Sequence, residues 1–507
     1  MALEQFDPAN LPATWATIGL IFAFRIIHSV WRAIQFRRTY REFLNLPNIG
    51  DASQTDLRSA MEEGTRKYPN RPFILPLQNP TVILPHNVID EIKSLPQTSV
   101  SIEANNYRRF FGRYTLMGTK SDEFVAAIKQ DLTRNVDILL PEMQEETEYA
   151  ASATIGDQDG SSFPVYPTML RFIALLSGRA FVGLPLSRSE EWIQSSINYA
   201  IESVAAGQEL RTYPAQIRTL VAPFLKKIQR VQQHQARVRE MLHETIASCH
   251  HTAQRSKSPL QDPNRERARL ASWLLRHYSS QYPVSEEVLG KDHLLAFFAA
   301  IHIATNALTQ TLLDLAARPE YQDGIRDEIN TVLGSTPDRK LSLAGLGKMA
   351  KLDSFMKESL RVNPPGGIVT LMRETTAPLL PSCGPLIPKG TLIAFANNRF
   401  DMSSPQQFGP DDFDGFRYAR LRETAGNESS HQFITPSSDS LTWGYGSHAC
   451  PGRLFAATEL KVIVIHLLSQ FDLQLKDGES RPANSSHDFQ IMPDPRAEII
   501  FSRTKMD

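Results

Sequence analysis

Residues 443–453 read Trp443-Gly444-Tyr445-Gly446-Ser447-His448-Ala449-Cys450-Pro451-Gly452-Arg453 and run straight into LFAATELKVIVIHLLSQF. The glycines permit a tight loop whose backbone can approach a flat ligand. Pro451 suits an early helical position, and a thiolate is favoured at a helix N-terminus. The chemistry on offer is metal ligation by Cys450 as S⁻. Taken alone, a cysteine after a glycine-rich turn is more often a buried structural residue. A second group lies on Leu294–Ala317, a stretch without Pro or Gly in which His302, Thr305, Asn306 and Thr309 are spaced i, i+3, i+4, i+7. That spacing puts them on one stripe of an otherwise apolar helix, as expected of a helix that lines a cavity. The alternative is that the threonines bond back to their own helix and the histidine finds a buried partner. A third pair, Glu358 and Arg361, stands at i, i+3; by itself such a pair is usually a solvated contact worth under about 1 kcal/mol.

The elements that must position these groups follow from the apolar patterning. Short apolar runs cut by proline at 72–95 read as strands and turns. From about 120 to 335 the pattern is helical, interrupted at Pro164, Pro185, Pro214 and Pro283 and by the polar stretch 250–267. Strand-like segments return at about 366–400, and helix resumes after Gly452, past a polar loop at 423–440. The predicted body is mainly α with small peripheral β-sheets. At about 150 residues per domain, 507 residues correspond to roughly three domains, or to one large enzyme domain with attachments.

Composition removes several classes of function. Lys plus Arg number 54 against 55 Asp plus Glu, a formal charge of −1, so no nucleic-acid surface is expected. Hydrophobic residues at 41% and charged residues at 21% fit a folded, mostly water-soluble body and not a polytopic transporter. Three cysteines, Cys249, Cys383 and Cys450, are too few for a disulfide framework in a chain of this length, which points to a reducing compartment.

The N-terminus has a separate character. Residues 11–34 are predicted to form a transmembrane anchor, with Arg25 near enough to the interface to snorkel. Glu4 and Asp7 precede it, and Arg32, Arg37, Arg38 and Arg41 follow. The positive-inside rule therefore puts residues 1–10 in the lumen and everything downstream in the cytosol. A surface-lying amphipathic helix is the alternative, since the clean apolar run ends at Phe24. Residues 35–50 read as a basic, proline-containing linker, and 51–507 as the catalytic domain.

The string WGYGSHAC-PG resembles the haem-binding signature of the cytochrome P-450 (haem-thiolate) monooxygenases, with Trp443 in place of the commoner Phe. Glu358-Ser359-Leu360-Arg361 resembles the family's E-x-x-R pair, and Pro410–Arg417 resembles the segment whose arginine completes that cluster. The resemblance covers most of the chain and has the flavour of fungal secondary-metabolism members. It implies the P-450 fold, haem b with Cys450 as axial thiolate, and a loop at Trp443, Gly444, Gly446 and Gly452 against the cofactor. His448 and Arg373 would be donors to the haem propionates, and Glu358, Arg361 and Arg417 a structural cluster behind the loop. It further implies insertion of one atom of O2 into a lipophilic, terpenoid-like or other polycyclic intermediate. Electrons would come from NADPH through a separate reductase, at the endoplasmic-reticulum membrane. Pocket candidates are Phe298, Ala299 and Ile303 on the central helix, Ile368, Val369 and Leu371 after the E-x-x-R helix, and Met492.

Two departures from the family pattern stand out. No Trp is followed by Arg four places later, so one expected propionate anchor is missing. Where the family's central helix usually carries an acid and then Thr, this chain has His302 and Ile303. Isoleucine cannot relay a proton, so His302, Thr305 or Asn306, a water, or a substrate hydroxyl must help. The same observation motivates a haem-thiolate isomerase, dehydratase or peroxide-user as an alternative. A non-catalytic haem sensor or electron carrier is a third reading.

Overall fold

The computed structural model describes residues 11–51, 53–156, 159–255, 269–278, 284–336, 338–403, 409 and 411–504, with backbone alone for 11–21 and 248–255. The expected lumenal segment 1–10, most of the polar stretch 250–267, Pro283 and Pro410 lie outside the described residues.

Among the described residues the architecture is mainly helical, with three small sheets at its margins. The long central helix Glu286–Ala316 opens on Ser285, whose Oγ accepts the Val288 amide. By length and composition it could cross a membrane, yet most of it is buried inside the fold. Its apolar faces pack against the helices Val165–Phe181, Glu190–Arg211, Lys226–Arg255, Ala350–Val362 and Arg453–Gln470, and together they form the main core. A column of rings fixes how three of these lie: Trp192 meets Phe297 edge-on at 5.1 Å, Phe297 meets Phe181 at 5.3 Å, and Phe181 stacks on Phe455 at 5.5 Å. The helix that follows Cys450 is thus locked against the central helix by aromatic contacts.

The largest sheet contains β1 (Phe73–Leu75), β2 (Thr81–Leu84), β3 (Val100–Ser101), β5 (Val369–Thr375) and β6 (Leu392–Ala396), in the order β1-β2-β6-β5-β3. β4 (Ser161–Pro164), β7 (Phe471–Gln474) and β10 (Glu498–Arg503) form a second sheet, and β8 (Ser485–His487) pairs with β9 (Gln490–Met492) as a hairpin. β5 is bulged: Thr370 faces Phe395 and Arg373 faces Ile393, so Leu371 and Met372 together oppose one residue. Leu371 takes φ +49 there, and the bulge re-aims both side chains.

At the N-terminus, Leu11–Thr39 is one helix, and the side chains of Phe22, Phe24, Ile27 and Trp31 are exposed. The stretch 35–50, expected as a linker, differs from that expectation. The helix continues to Thr39, Arg41–Leu44 adds a turn, and the Ile49 amide bonds to the Ile74 carbonyl at 3.0 Å. Leu46 and Ile49 are both buried, so the body begins at Leu46: apolar side chains here reach a core that local composition does not reveal.

Candidate active site

The cysteine loop folds back on itself before the helix starts. The Cys450 amide donates to the Trp443 carbonyl at 2.7 Å, and the Gly444 amide to that of Leu441 at 2.9 Å. Gly444 and Gly446 take φ +73 and +74, a region that L side chains rarely adopt. A Cβ on Gly446 would also lie 2.7 Å from the backbone oxygen of Lys93. Gly452 is different: it has an ordinary φ of −92 as the residue before Arg453–Gln470, and its missing Cβ leaves room against Ile128. Pro451 falls in the turn ahead of the helix and not in its first position. Trp443 Nε1 donates to the Phe433 carbonyl at 2.7 Å. Arg453 donates to the Cys450 carbonyl at 3.0 Å. Burial pushes the Cys450 thiol up; the Gly452 amide and the Arg453 charge pull it down by less. The helix terminus alone therefore does not hold the thiolate, and a cation on the sulfur would have to.

Behind the loop, Glu358 is fully buried. It accepts from Arg361 Nε at 2.8 Å and Nη2 at 2.9 Å, lies 3.1 Å from Arg417 Nη2, and takes the Asp414 amide at 3.0 Å. Arg361 and Arg417 both donate to the Asp412 carbonyl, at 2.6 and 2.8 Å. The i, i+3 pair is therefore not a solvated contact. Two further acids that sequence reasoning passed over extend this frame. Asp353 accepts the Phe433 amide at 2.7 Å and pairs with Lys461, which joins the Ala350–Val362 helix to the cysteine helix and to the segment whose Phe433 carbonyl holds Trp443. Asp314, also fully buried, accepts from Arg318 at 2.8 Å, Arg481 at 2.7 Å, Ser359 at 2.6 Å and Asn363 at 3.0 Å. Its i, i+4 spacing from Arg318 was a visible signal; Asp353 stands i, i+4 from Lys357, but its pairing with Lys461 was not visible.

Arg373 and His448 come to one side of the loop. Arg373 is fully buried; its Nη1 and Nη2 donate to the carbonyls of Ile92 at 2.8 Å and Lys93 at 3.0 Å, while its Nε has no partner. Burial, and then the Arg373 charge, hold His448 below the usual imidazole range. An orphaned buried donor beside a second nitrogen donor set fits an anionic group such as a propionate. In the segment Ala127–Leu132, Ile128 lies against Gly452, and the one basic residue, Lys129, is exposed.

On the central helix the predicted polar stripe divides among different environments. Ile303 is 58% exposed, although the helix around it is buried, and Ala299 one turn earlier is open as well. This apolar pair, not the polar stripe, gives the helix its open face. Thr305 is fully buried and donates to the Ile301 carbonyl at 2.8 Å. Asn306 Nδ2 donates to the Ile491 carbonyl at 2.9 Å and approaches Met492 Sδ at 3.5 Å, while its Oδ1 has no partner. His302 is held low by burial, against a bond to the Ile197 backbone, and its Nε2 is without a partner. Thr309 Oγ1 is likewise buried and unpaired. Phe298 meets Phe110 edge-on at 5.7 Å. Ile368 and Val369, expected to line the pocket, are packed into a core cluster with Phe73, Leu75 and Ile491. Leu371, in the bulge, packs against a different core cluster, which includes Leu84 and Phe395.

The family model for cytochrome P-450 matches residues 124–501. The chain is 37% identical to cytochrome P-450 monooxygenase ascG of Acremonium egyptiacum over 98% of this chain and 96% of that one. It is 35% identical to gliF of Aspergillus fumigatus, over 97% and 99%, and 35% identical to ataF of Aspergillus terreus, over 99% of each. Among solved structures, retinoic-acid-bound cyanobacterial CYP120A1 superposes with a TM-score of 0.65 at 19% identity, covering 90% of this chain and 99% of that one. The chain belongs to the cytochrome P-450 family and is a haem-dependent monooxygenase of the fungal secondary-metabolism type. That family binds haem b through a cysteine thiolate, and the relatives' naming as monooxygenases supports the oxygenating reading over the sensor and the non-oxygenating alternatives.

Proposed function

We propose that Cys450 would ligate the iron of haem b as a thiolate and that the cysteine loop and the open Ala299–Ile303 face of the central helix would hold the cofactor. The carrying observation is the unpartnered Nε of fully buried Arg373, close enough to His448 for its charge to act there. Bound there, haem supplies activation of O2 for insertion of one oxygen atom into a C–H bond. The chain's own residues do the rest. Gly444 and Gly446 let the backbone approach, Arg373 and His448 hold the propionates, and Glu358 with Arg361 and Arg417 keeps the loop in place from behind. Ile303, an apolar side chain on the open face of the central helix, supplies no proton. The groups available to position a water for proton delivery are His302 Nε2 and Asn306 Oδ1, both without a protein partner. Thr305 spends its hydroxyl on its own helix.

The substrate in this reading is a lipophilic, terpenoid-like or other polycyclic secondary metabolite, because the open helix face is apolar. NADPH feeds electrons through a separate reductase. The chain is held at the endoplasmic-reticulum membrane by residues 11–34; the exposed Phe22, Phe24, Ile27 and Trp31 support this, as does the basic run after them. The test is co-expression with a fungal reductase. Wild-type protein should give the carbon-monoxide difference band of thiolate-bound haem, and Cys450→Ala should abolish it. Intact protein that never gives the band overturns the assignment.

A further inference from the structure

Near the central helix stands a cation whose donors the protein leaves largely unanswered. Arg109 lies in the last turn of the helix Ile102–Phe110, and its side chain is only 16% exposed. Its guanidinium rests over the Phe489 ring, 3.8 Å from the centroid. Among the described residues, its one hydrogen-bond acceptor is the thioether of Met372, 3.3 Å from Nη1, and sulfur is a weak acceptor. Asp488 is 3.9 Å from Nη2, and its other oxygen is taken by the Gln78 amide at 2.8 Å. Burial pulls Arg109 down to about 10, with Asp488 opposing and Arg211 adding to the effect, so it stays charged at neutral pH. Arg211 donates to the Arg109 carbonyl and so brings a second positive charge to the same place. A guanidinium offers five N–H donors in a planar fork, and burying them without oxygen acceptors is costly.

The surroundings tie this cation to the chemistry. Phe110, the next residue, meets Phe298 on the central helix. Met372 comes from the bulge of β5. Phe489 is in the turn between β8 and β9, and the same hairpin bonds to Asn306 through Ile491. Leu77, Asn105, Met372, Asp488 and Phe489 line a small recess with Arg109.

We propose that Arg109 is a specificity-determining residue that binds a carboxylate-type oxyanion at the end of the substrate remote from the carbon oxidised. The inference rests on the monooxygenase reading above and narrows its substrate class to lipophilic acids. The planar fork suits two-point recognition of a carboxylate, and Phe489 supplies an apolar floor beneath it.

The experiment uses purified haem-loaded protein whose carbon-monoxide band has been recorded first. Dehydroabietic acid and dodecanoic acid, each paired with its methyl ester, are titrated while the ferric absorption band is followed. Each acid is expected to bind roughly 10- to 100-fold more tightly than its ester, the range of one charged hydrogen bond. Arg109→Gln should bring acid and ester to within about 2-fold of each other, Arg109→Lys should keep part of the preference, and Asp488→Asn should tighten the acids by removing a competing carboxylate. Equal binding of acid and ester by the wild type overturns the proposal, as does a preference that survives in Arg109→Gln. Failure of all four probes to bind overturns it too. A missing carbon-monoxide band would instead overturn the haem assignment beneath it.

Discussion

Replacing Glu358 with Gln tests whether the cluster behind the cysteine loop is structural. In the wild type one fully buried carboxylate answers two arginines, with contacts of 2.8 and 2.9 Å to Arg361 and 3.1 Å to Arg417, and also accepts the Asp414 amide at 3.0 Å. Glutamine keeps the shape but leaves one acceptor oxygen and no charge, while both guanidinium groups remain inside. Breaking a buried ion pair from one side costs about 3–5 kcal/mol. Against a total stability of roughly 5–15 kcal/mol, that is a fifth or more of what holds the fold. At about 1.4 kcal/mol per tenfold, the equilibrium shifts roughly 100-fold or further toward states with the loop released. The assay is the ratio of thiolate-bound haem to total protein, read from the carbon-monoxide band and from protein absorbance, with urea unfolding in parallel. Expected is a large fall in haem per chain, with the surviving holoenzyme turning over normally. A loss below about 1 kcal/mol, the size of a surface ion pair, would refute the argument, because it would mean that the cluster is effectively solvated.

Gly446→Ala should destabilise the loop by about 1–3 kcal/mol and lower haem retention, since it combines a left-handed φ with a clash against Lys93; haem content after gel filtration measures it. Glu459 is buried against Ser177 Oγ at 2.9 Å, and burial pushes its carboxyl up to about 8. Its folded state holds the proton more tightly than the unfolded chain does, so its contribution to stability falls as pH rises from about 4.3, the unfolded value, through about 8. Glu459→Gln should flatten that fall in urea midpoints, and an unchanged profile would count against a neutral Glu459. Ile303→Thr places a hydroxyl on the open face of the central helix. Product formed per NADPH should rise at least about 2-fold if proton supply limits the wild type, whereas no change would assign delivery wholly to water or substrate.

The sequence by itself determined the chemistry-bearing loop: its glycines, its cysteine and the apolar helix after it are local, and local φ demands and helix signals are written in contiguous residues. It also determined the helix-rich class and the existence of the Glu358–Arg361 pair. Burial was decided elsewhere. The i, i+3 spacing of Glu358 and Arg361 is the same in a surface pair and in a buried one; only the approach of Arg417 and the Asp412 carbonyl, some fifty residues away, excludes water. The polar stripe on the central helix was legible as a stripe, yet which part of the helix faces open space depends on the helices packed around it, and they leave Ala299 and Ile303 open while covering Thr305. Leu371 illustrates the same limit, since it lies in a bulge of β5 that breaks the alternation of a regular strand, and Ile368, just ahead of that strand, joins a core cluster with residues from distant parts of the chain. Arg109 shows it most directly. Nothing in its own helix marks it, and its meaning comes from Met372, Asp488 and Phe489, brought to it from distant parts of the chain. Periodicity fixes what lies on one face of one element, and the field and solvent around a charge are fixed only when several elements meet.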